Sequence, residues 1–120
     1  MPLVLIVEDN EMNRDMLSRR LQRKGLDVIC AVDGPMGVAM AAEHKPDVIL
    51  MDVALGDMDG WEATRCIKAN PATAEIPVIA LTAHALESDR RKSIEAGCSE
   101  FETKPVDMTR LLSKITALIK

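Results

Sequence analysis

Four short runs, each followed or ended by a polar residue, constrain the fold of this chain more than any other feature. The runs are Leu3–Val7, Val48–Met51, Val78–Leu81 and the less apolar Ser99–Thr103. They lead into Glu8-Asp9, Asp52, Thr82 and Lys104 respectively. Runs of this length are typical of buried parallel strands, whose carboxyl ends lie along one edge, where open α/β sheets bind ligands. We therefore expect three acids, a hydroxyl and a lysine to meet in one crevice.

Segments with helical spacing separate these runs. Apolar residues recur at helical intervals, as in Met12, Met16, Leu17 and Leu21, and the first four of the five predicted helices end near glycine or proline. The predicted helices are centred on 12–21, 36–40, 61–68, 86–96 and 111–119, the last beginning near Asp107 or Thr109, and another strand is predicted over 26–31. Five strand–helix units predict an α/β fold with a parallel five-stranded sheet covered on both faces.

The order of the five strands is not proved by the sequence. The flavodoxin-like order 2-1-3-4-5 would set Glu8 and Asp9 directly beside Asp52, with Thr82 on the next strand. Lys104 would start farther away, but its four-carbon side chain could reach the same crevice.

Composition excludes several classes of function. A chain of 120 residues fits one domain, and its net charge of −4 argues against broad nucleic-acid binding. Trp61 and Phe101 are the only aromatic residues, so no platform for stacking bases is expected. The amino-terminal apolar run is too short for a signal peptide or a membrane span, so we expect a cytoplasmic protein without membrane insertion. Cys30, Cys66 and Cys98 show no metal or redox spacing and are interpreted as free thiols.

The acidic cluster predicts a metal site. Three carboxylates at close range are unfavourable without a cation, and oxygen ligands without histidine or cysteine favour Mg²⁺, with Mn²⁺ as a substitute. Glu8, Asp9 and Asp52 would supply the carboxylates, and the backbone carbonyl of Ala54 could complete the shell.

Asp52 lies at the centre of this group and is the candidate phosphoacceptor, since a carboxylate can act as a nucleophile and form an aspartyl-phosphate. Lys104 would add positive charge, and Thr82 a hydroxyl, for the phosphoryl oxygens. Nucleotide-binding glycine motifs are absent from the sequence, and no Ser-His-Asp or Cys-His arrangement is apparent. His84 could face the mouth of the crevice or be a plain exposed histidine.

Over essentially the whole chain, these residues resemble the receiver domains of two-component response regulators. The matching segments are Ile6-Val7-Glu8-Asp9-Asn10, Met51-Asp52, Met58-Asp59-Gly60, Leu81-Thr82-Ala83-His84-Ala85, Ala96-Gly97 and Thr103-Lys104-Pro105. The resemblance implies transfer of a phosphoryl group to Asp52 from a phosphohistidine on a histidine kinase or a phosphotransfer protein. It also implies Mg²⁺ held by Asp9 and Asp52, with Glu8 acting through water.

The resemblance further implies a stand-alone receiver of residues 1–120, without an output domain, that works as a monomer through protein contacts. Thr82 would move towards the phosphoryl group, and Phe101 would turn between exposed and buried rotamers. The changing surface would be the fourth helix, fifth strand and fifth helix, where Arg90, Arg91 and Lys92 form a basic patch beside Glu100 and Glu102. A permanently buried Phe101 is the alternative.

Two residues depart from the family pattern. Gly56 stands where proline is usual, which predicts a more mobile loop after Asp52. Glu100 and Glu102 flank Phe101 where apolar or small residues are commoner, which predicts an altered partner surface.

Two other interpretations stay open at this point. The chain could be a metal-dependent phosphatase or phosphotransferase with an aspartyl intermediate, although its length leaves little room for a cap over a small substrate. It could also be a receiver cut from a longer protein.

Overall fold

The structure of the protein is a computed structural model that describes residues 2–55, 58–83 and 87–119. Strands and helices alternate along it. The strands are β1 (Leu3–Val7), β2 (Asp27–Ala31), β3 (Val48–Asp52), β4 (Val78–Thr82) and β5 (Glu100–Thr103). The helices are α1 (Glu11–Arg23), α2 (Gly34–His44), α3 (Gly60–Ala69), α4 (Glu87–Ala96) and α5 (Met108–Leu118). The predictions for Gly56, His84 and Leu86 concern residues outside the described ranges.

All five strands form one parallel sheet in the order β2-β1-β3-β4-β5. This is the order considered from the sequence, and it is confirmed. Successive strand residues point to opposite faces of a sheet, so each strand contributes to two cores. In β1, Leu5 and Val7 join the core that contains residues of α2 and α3, while Val4 and Ile6 join the core that contains residues of α1 and α5. The doubly wound α/β fold predicted from the alternation of elements is therefore present.

The helices begin where short polar side chains cap them. Asn10, Asp33, Asp59 and Asp107 each accept a hydrogen bond from the backbone N–H three residues later, which satisfies a donor that the first helical turn leaves unpaired. Asp107 rather than Thr109 is thus the cap of α5. No helix in the described part of the chain is long and apolar enough to cross a membrane.

The apolar face predicted for α1 is partly wrong. Met12 and Met16 are 78% and 50% exposed, and α1 buries Leu17 and Leu21 instead. Met16 precedes the buried Leu17 by one residue, which is about 100° around the helix. Periodicity detects apolar residues at helical intervals, but it does not say which of two neighbouring stripes faces the sheet.

The edge strand β5 carries a buried carboxylate, that of Glu102. Glu102 is 2% exposed and faces α5, where its Oε1 accepts hydrogen bonds from Arg110 Nε and Nη2 (3.1 and 2.7 Å) and its Oε2 accepts one from Lys114 Nζ (2.9 Å). Lys114 Nζ also donates to the carbonyl of Phe101 (2.7 Å). The expectation that Glu102 belongs to an exposed partner surface is therefore wrong, because the two cations of α5 draw it inward.

Glu102 should make the stability of the protein depend on pH. Burial by itself raises the pKa of this carboxyl, but the hydrogen bonds and charges of Arg110 and Lys114 outweigh burial and hold the pKa below its ordinary value. A lowered folded pKa contributes stability above the unfolded pKa, and that contribution disappears as pH falls through the folded value. We expect Glu102→Gln to lower the free energy of unfolding by about 1–2 kcal/mol at pH 7, with the difference from the wild type shrinking below about pH 4.

Urea unfolding curves of both proteins between pH 3 and pH 7 measure this difference. Glu100→Gln is the matched control, because Glu100 lies on the same strand, is half exposed and reaches Lys114 only at 3.7 Å. If the free energies of unfolding of the wild type and Glu102→Gln differed by the same amount at every pH, the proposed role of the Glu102 charge would be contradicted.

Candidate active site

The carboxyl ends of β1 and β3 bring three acids together. Val7 pairs with Met51 in the parallel register, so Glu8, which follows β1, lies beside Asp52, the last residue of β3. One carboxylate oxygen from each of Glu8, Asp9 and Asp52 lies within 4.8 Å of the others. Glu8 and Asp52 are each 3% exposed, whereas Asp9 is exposed. The site is thus a buried pair of acids with a third acid at its solvent side.

Lys104 reaches this cluster from the end of β5. Its Nζ lies 3.0 Å from Glu8 Oε1 and 3.2 Å from Asp52 Oδ1, and its backbone N–H donates to the carbonyl of Thr82 (2.7 Å). The following bond, Lys104–Pro105, is cis. Burial by itself lowers the pKa of Lys104, but Glu8 and Asp52 outweigh burial and raise it above its ordinary value. Lys104 is therefore a cation at this site, as the sequence predicted.

The surroundings of Glu8 disfavour its charged form. Burial, followed by the neighbouring Asp52 carboxylate, raises the pKa of Glu8 from 4.5 to about 7, although Lys104 acts in the opposite direction. Two buried carboxylates at close range favour the uptake of a positive charge, either a proton or a metal cation. One ammonium group does not fully compensate them.

The donor set fits a hard divalent cation. All three ligand groups are carboxylates, two of them are buried, and one opens to solvent, where Mg²⁺ can keep the waters that it gives up reluctantly. Glu8, Asp9 and Asp52 would hold the ion. Ala54 lies next to this group and donates its backbone N–H to Asp52 Oδ1 (3.1 Å), while a role for its carbonyl stays a prediction.

Thr82 and Phe101 lie on the strands beyond Asp52. Thr82 is the buried last residue of β4, the strand adjacent to β3, and it pairs with Thr103 of β5. Phe101 pairs with Ala80 and is half-buried, on the opposite face of β5 from Glu102. The structure therefore places Thr82 at the same edge of the sheet as Asp52 and Phe101 farther along the sheet, and the turning of Phe101 stays a prediction.

Three contributions to the site were not recognised from the sequence. Asn10 donates its backbone N–H to Glu8 Oε2 (3.2 Å), Arg14 Nη1 donates to the carbonyl of Glu8 (2.9 Å), and Gly60 packs against the backbone of Asp52 and Val53. Asn10 and Gly60 belong to segments that resemble the receiver family, but the resemblance predicts neither of these contacts. The contacts of Arg14 and Gly60 depend on how helices meet strand ends, which residue types and spacing do not reveal.

Comparison with known proteins gives a consistent result. A family model described as the response regulator receiver domain matches residues 4–116. The response regulator PleD of Caulobacter vibrioides is 39% identical over 117 residues, which are 98% of this chain but 26% of PleD. The polar-differentiation response regulator DivK of Brucella anthropi is 34% identical over 116 residues, which are 97% of this chain and 94% of DivK. The chain thus spans about a quarter of PleD and nearly all of DivK.

Solved structures agree with the fold. The Vibrio cholerae chemotaxis protein CheY4 is 28% identical, with a TM-score of 0.92 and coverage of 98% of both chains. The receiver domain of the sensor histidine kinase PA1611 from Pseudomonas aeruginosa is 36% identical, with a TM-score of 0.91 and coverage of 98% of this chain and 97% of that one. In that crystal structure a magnesium ion is coordinated in the active site cleft.

A side chain at Gly60 should disturb Asp52. An added Cβ would overlap the carbonyl oxygen of Asp52 and lie 2.6 Å from Val53 Cα, and this backbone cannot yield as a flexible side chain would. We expect Gly60→Ala to lower the free energy of unfolding by about 1–3 kcal/mol and to weaken Mg²⁺ binding. Gly34→Ala is the matched control, because Gly34 also follows an aspartate cap but a Cβ there would meet only the side chain of Met58. Equal effects of the two substitutions, measured by chemical unfolding, would contradict this reason.

Magnesium should stabilise the fold by mass action. A ligand that binds only the folded state adds about 2.7 kcal/mol at one hundred times its dissociation constant, so millimolar Mg²⁺ should raise the melting temperature. Asp9→Ala should abolish this rise and, by relieving like-charge repulsion, stabilise the metal-free protein. Asp15→Ala, which removes an exposed acid paired with Arg19 on α1, should keep the full magnesium effect. A wild-type melting curve that does not respond to Mg²⁺ would rule out the site.

Proposed function

The chain belongs to the response regulator receiver domain family, and we propose on this premise that it accepts a phosphoryl group on Asp52 and signals through phosphorylation-dependent protein contacts. Proteins of this family act in two-component signalling, as phosphoacceptors rather than classical enzymes. The donor would be a phosphohistidine on a sensor histidine kinase or a histidine phosphotransfer protein. One observation carries the assignment of Asp52: it ends the central strand β3, between the acid pair that follows β1 and Thr82 at the end of β4, and its buried carboxylate contacts Lys104.

The geometry supports transfer by direct attack. Asp52 Oδ1 is held by the N–H of Ala54 and by Lys104 Nζ, which orients the carboxylate as a nucleophile. An Asp52 oxygen forms a bond to phosphorus while the bond between phosphorus and the donor histidine nitrogen breaks, and the imidazole keeps the electron pair. Bound Mg²⁺ supplies charge neutralisation at the phosphoryl oxygens. Lys104 and Thr82 would then bind the oxygens of the transferred group.

The donor would approach over a groove beside the site. A cavity of about 480 Å³ opens next to Glu8 and Lys104, and most of its other lining is apolar. The remaining lining residues are Asn13, Met16, Leu17, Arg20, Leu81, Pro105, Val106 and Met108. The exposed Met16 would be covered by the donor protein, which explains why α1 presents a methionine to solvent.

The signalling surface would be the face made by α4, β5 and α5. On α4, Ile94 is 55% exposed and the neighbouring Arg90 and Arg91 are exposed, so this helix offers an apolar residue among cations. Lys92 instead lies over the ring of Trp61, 5.1 Å from its centroid, and contributes to the packing of α4 on α3. Lys92 is itself exposed, so all three residues of the basic patch predicted from the sequence contribute to the proposed surface.

The chain's similarity to nearly the full length of DivK supports a signalling role like that of DivK. DivK is named for polar differentiation, and a comparable cell-cycle role for this protein is part of the proposal. We further propose that it acts in the cytoplasm as a monomer, without binding nucleic acid.

Asp52 should be the only phosphorylated residue. Incubation with acetyl phosphate or phosphoramidate and Mg²⁺ should add one phosphoryl group to the wild type and none to Asp52→Asn, as measured by intact mass. Asp47→Asn is the matched control, because Asp47 precedes β3 at the opposite end of the same strand and binds the N–H of Leu3; it should be phosphorylated normally. A phosphorylated Asp52→Asn protein would overturn the assignment, and sustained turnover of the small phosphate donor would favour an enzyme instead.

Phosphorylation should be visible at Trp61 and Phe101. The phosphoryl group adds roughly −1.5 to −2 charges, which should draw Thr82 inward and change the packing of Phe101 and α4. Trp61 Nε1 donates to Ser93 Oγ of α4 (2.9 Å), so movement of α4 should alter the fluorescence of this single tryptophan.

Beryllofluoride, as a phosphoryl mimic, provides the measurement. Amide chemical shifts of Phe101 and α4 should change together with Trp61 fluorescence, and Ser93→Ala should alter the tryptophan signal without preventing phosphorylation. Shifts confined to the loops around Asp52 would show that no such switch operates.

A further inference from the structure

Arg14 stands out among the arginines of the described residues because it alone is half-buried. Its guanidinium is half-buried, and in the described part of the chain no carboxylate lies within 4.0 Å of it. Its one side-chain hydrogen bond runs from Nη1 to the carbonyl of Glu8, at 2.9 Å. A half-buried arginine that binds a single main-chain carbonyl at the edge of an acidic cluster needs a reason beyond packing.

The position of Glu8 supplies that reason. The sheet ends here: the N–H of Glu8 donates to Ala31, the last residue of β2, at 3.1 Å, and β2 provides no further strand residue to continue the ladder. The carbonyl of Glu8 therefore has no strand N–H to bind, and Arg14 supplies the donor from α1. Because this carbonyl and the N–H of Asp9 belong to one planar peptide unit, a bond to the carbonyl also fixes the direction in which Asp9 leaves the strand.

Arg14 is itself held in place by the start of α1. Asn10 caps the helix, accepting the N–H of Asn13 on its side chain (2.9 Å), and its carbonyl accepts the N–H of Arg14 (2.9 Å). Asn10 also donates its own N–H to Glu8 Oε2 (3.2 Å). Glu8 is thus bound at its N–H, its carbonyl and both carboxylate oxygens, the last of these bonds coming from Lys104.

From these contacts we propose that Arg14 is a positioning residue of the metal site, which holds the Glu8–Asp9 peptide so that the two carboxylates point at a common cation. The proposal rests on the function proposed above and extends it to a residue that contacts neither the ion nor the phosphoryl group. Arg14 acts through Glu8 and Asp9 and is not catalytic.

The sign of the effect on magnesium binding separates positioning from simple electrostatics. A positive charge beside a metal site repels the incoming cation, so removing Arg14 should tighten Mg²⁺ binding if only its charge matters. If Arg14 positions the acids, its removal should weaken Mg²⁺ binding instead. The two explanations therefore predict opposite changes in one measured constant.

The experiment is a calorimetric Mg²⁺ titration of the wild type, Arg14→Met, Arg14→Lys and Arg19→Met, with thermal unfolding of each metal-free protein. Arg19→Met is the matched control, since it removes the same charge from the same helix at a residue that is exposed and paired with Asp15. We expect Arg14→Met to raise the Mg²⁺ dissociation constant about three- to tenfold, the loss of roughly one hydrogen bond's contribution. Arg14→Lys keeps the charge and one donor, so its Mg²⁺ dissociation constant should lie between those of Arg14→Met and the wild type. Arg19→Met should bind Mg²⁺ as tightly as the wild type or slightly more tightly.

An unchanged or lowered dissociation constant for Arg14→Met would overturn the proposal, as would a lower melting temperature without any change in Mg²⁺ binding, which is the signature of a merely structural residue. Should Arg14→Met fail to fold, a dissociation constant for Arg14→Lys equal to that of the wild type would overturn it. A wild-type protein that does not bind Mg²⁺ would instead refute the proposed function, so the two failures are distinguishable.

Discussion

The contact of one lysine with two buried carboxylates is the constraint on which the rest of the site depends. Lys104 lies within 3.2 Å of both Glu8 and Asp52, and without it no cation of the described residues would contact either carboxylate. The contact also links the last strand to the first and third across the crevice. Its incomplete compensation of charge leaves the pKa of Glu8 raised, and the same imbalance makes the crevice attractive to a divalent cation.

A second buried charge shows how differently the fold can use the same chemistry. Glu102 is as buried as Glu8, but Arg110 and Lys114 satisfy both of its oxygens, and its pKa is lowered rather than raised. Fully paired, it fastens α5 to β5 and offers no site for a cation. Glu8 and Asp52 share one ammonium group, that of Lys104. This lack of positive charge distinguishes the acidic cluster, which can attract a cation, from the fully paired Glu102.

Much of the site could be predicted because strand ends are easy to recognise. The runs before Glu8, Asp52, Thr82 and Lys104 are apolar or lie between turn residues, and a parallel sheet must bring their ends to one edge. Arg14 and Gly60 were missed because their importance comes from contacts with main-chain carbonyls. Every residue has a backbone carbonyl, so the residue types in the sequence do not indicate which carbonyl an arginine or a glycine will contact.

The sequence by itself determined the alternation of strands and helices, the class of fold and the acids and lysine that meet at one edge of the sheet, because hydrophobic periodicity and chemical type are local properties. Only the tertiary structure decided the strand order, the exposure of Met12 and Met16, and the burial of Glu102. These features depend on which surfaces meet after the chain has folded. A helix with two apolar stripes can bury only one of them, and an acid on an edge strand stays in solvent unless cations from another element cover it.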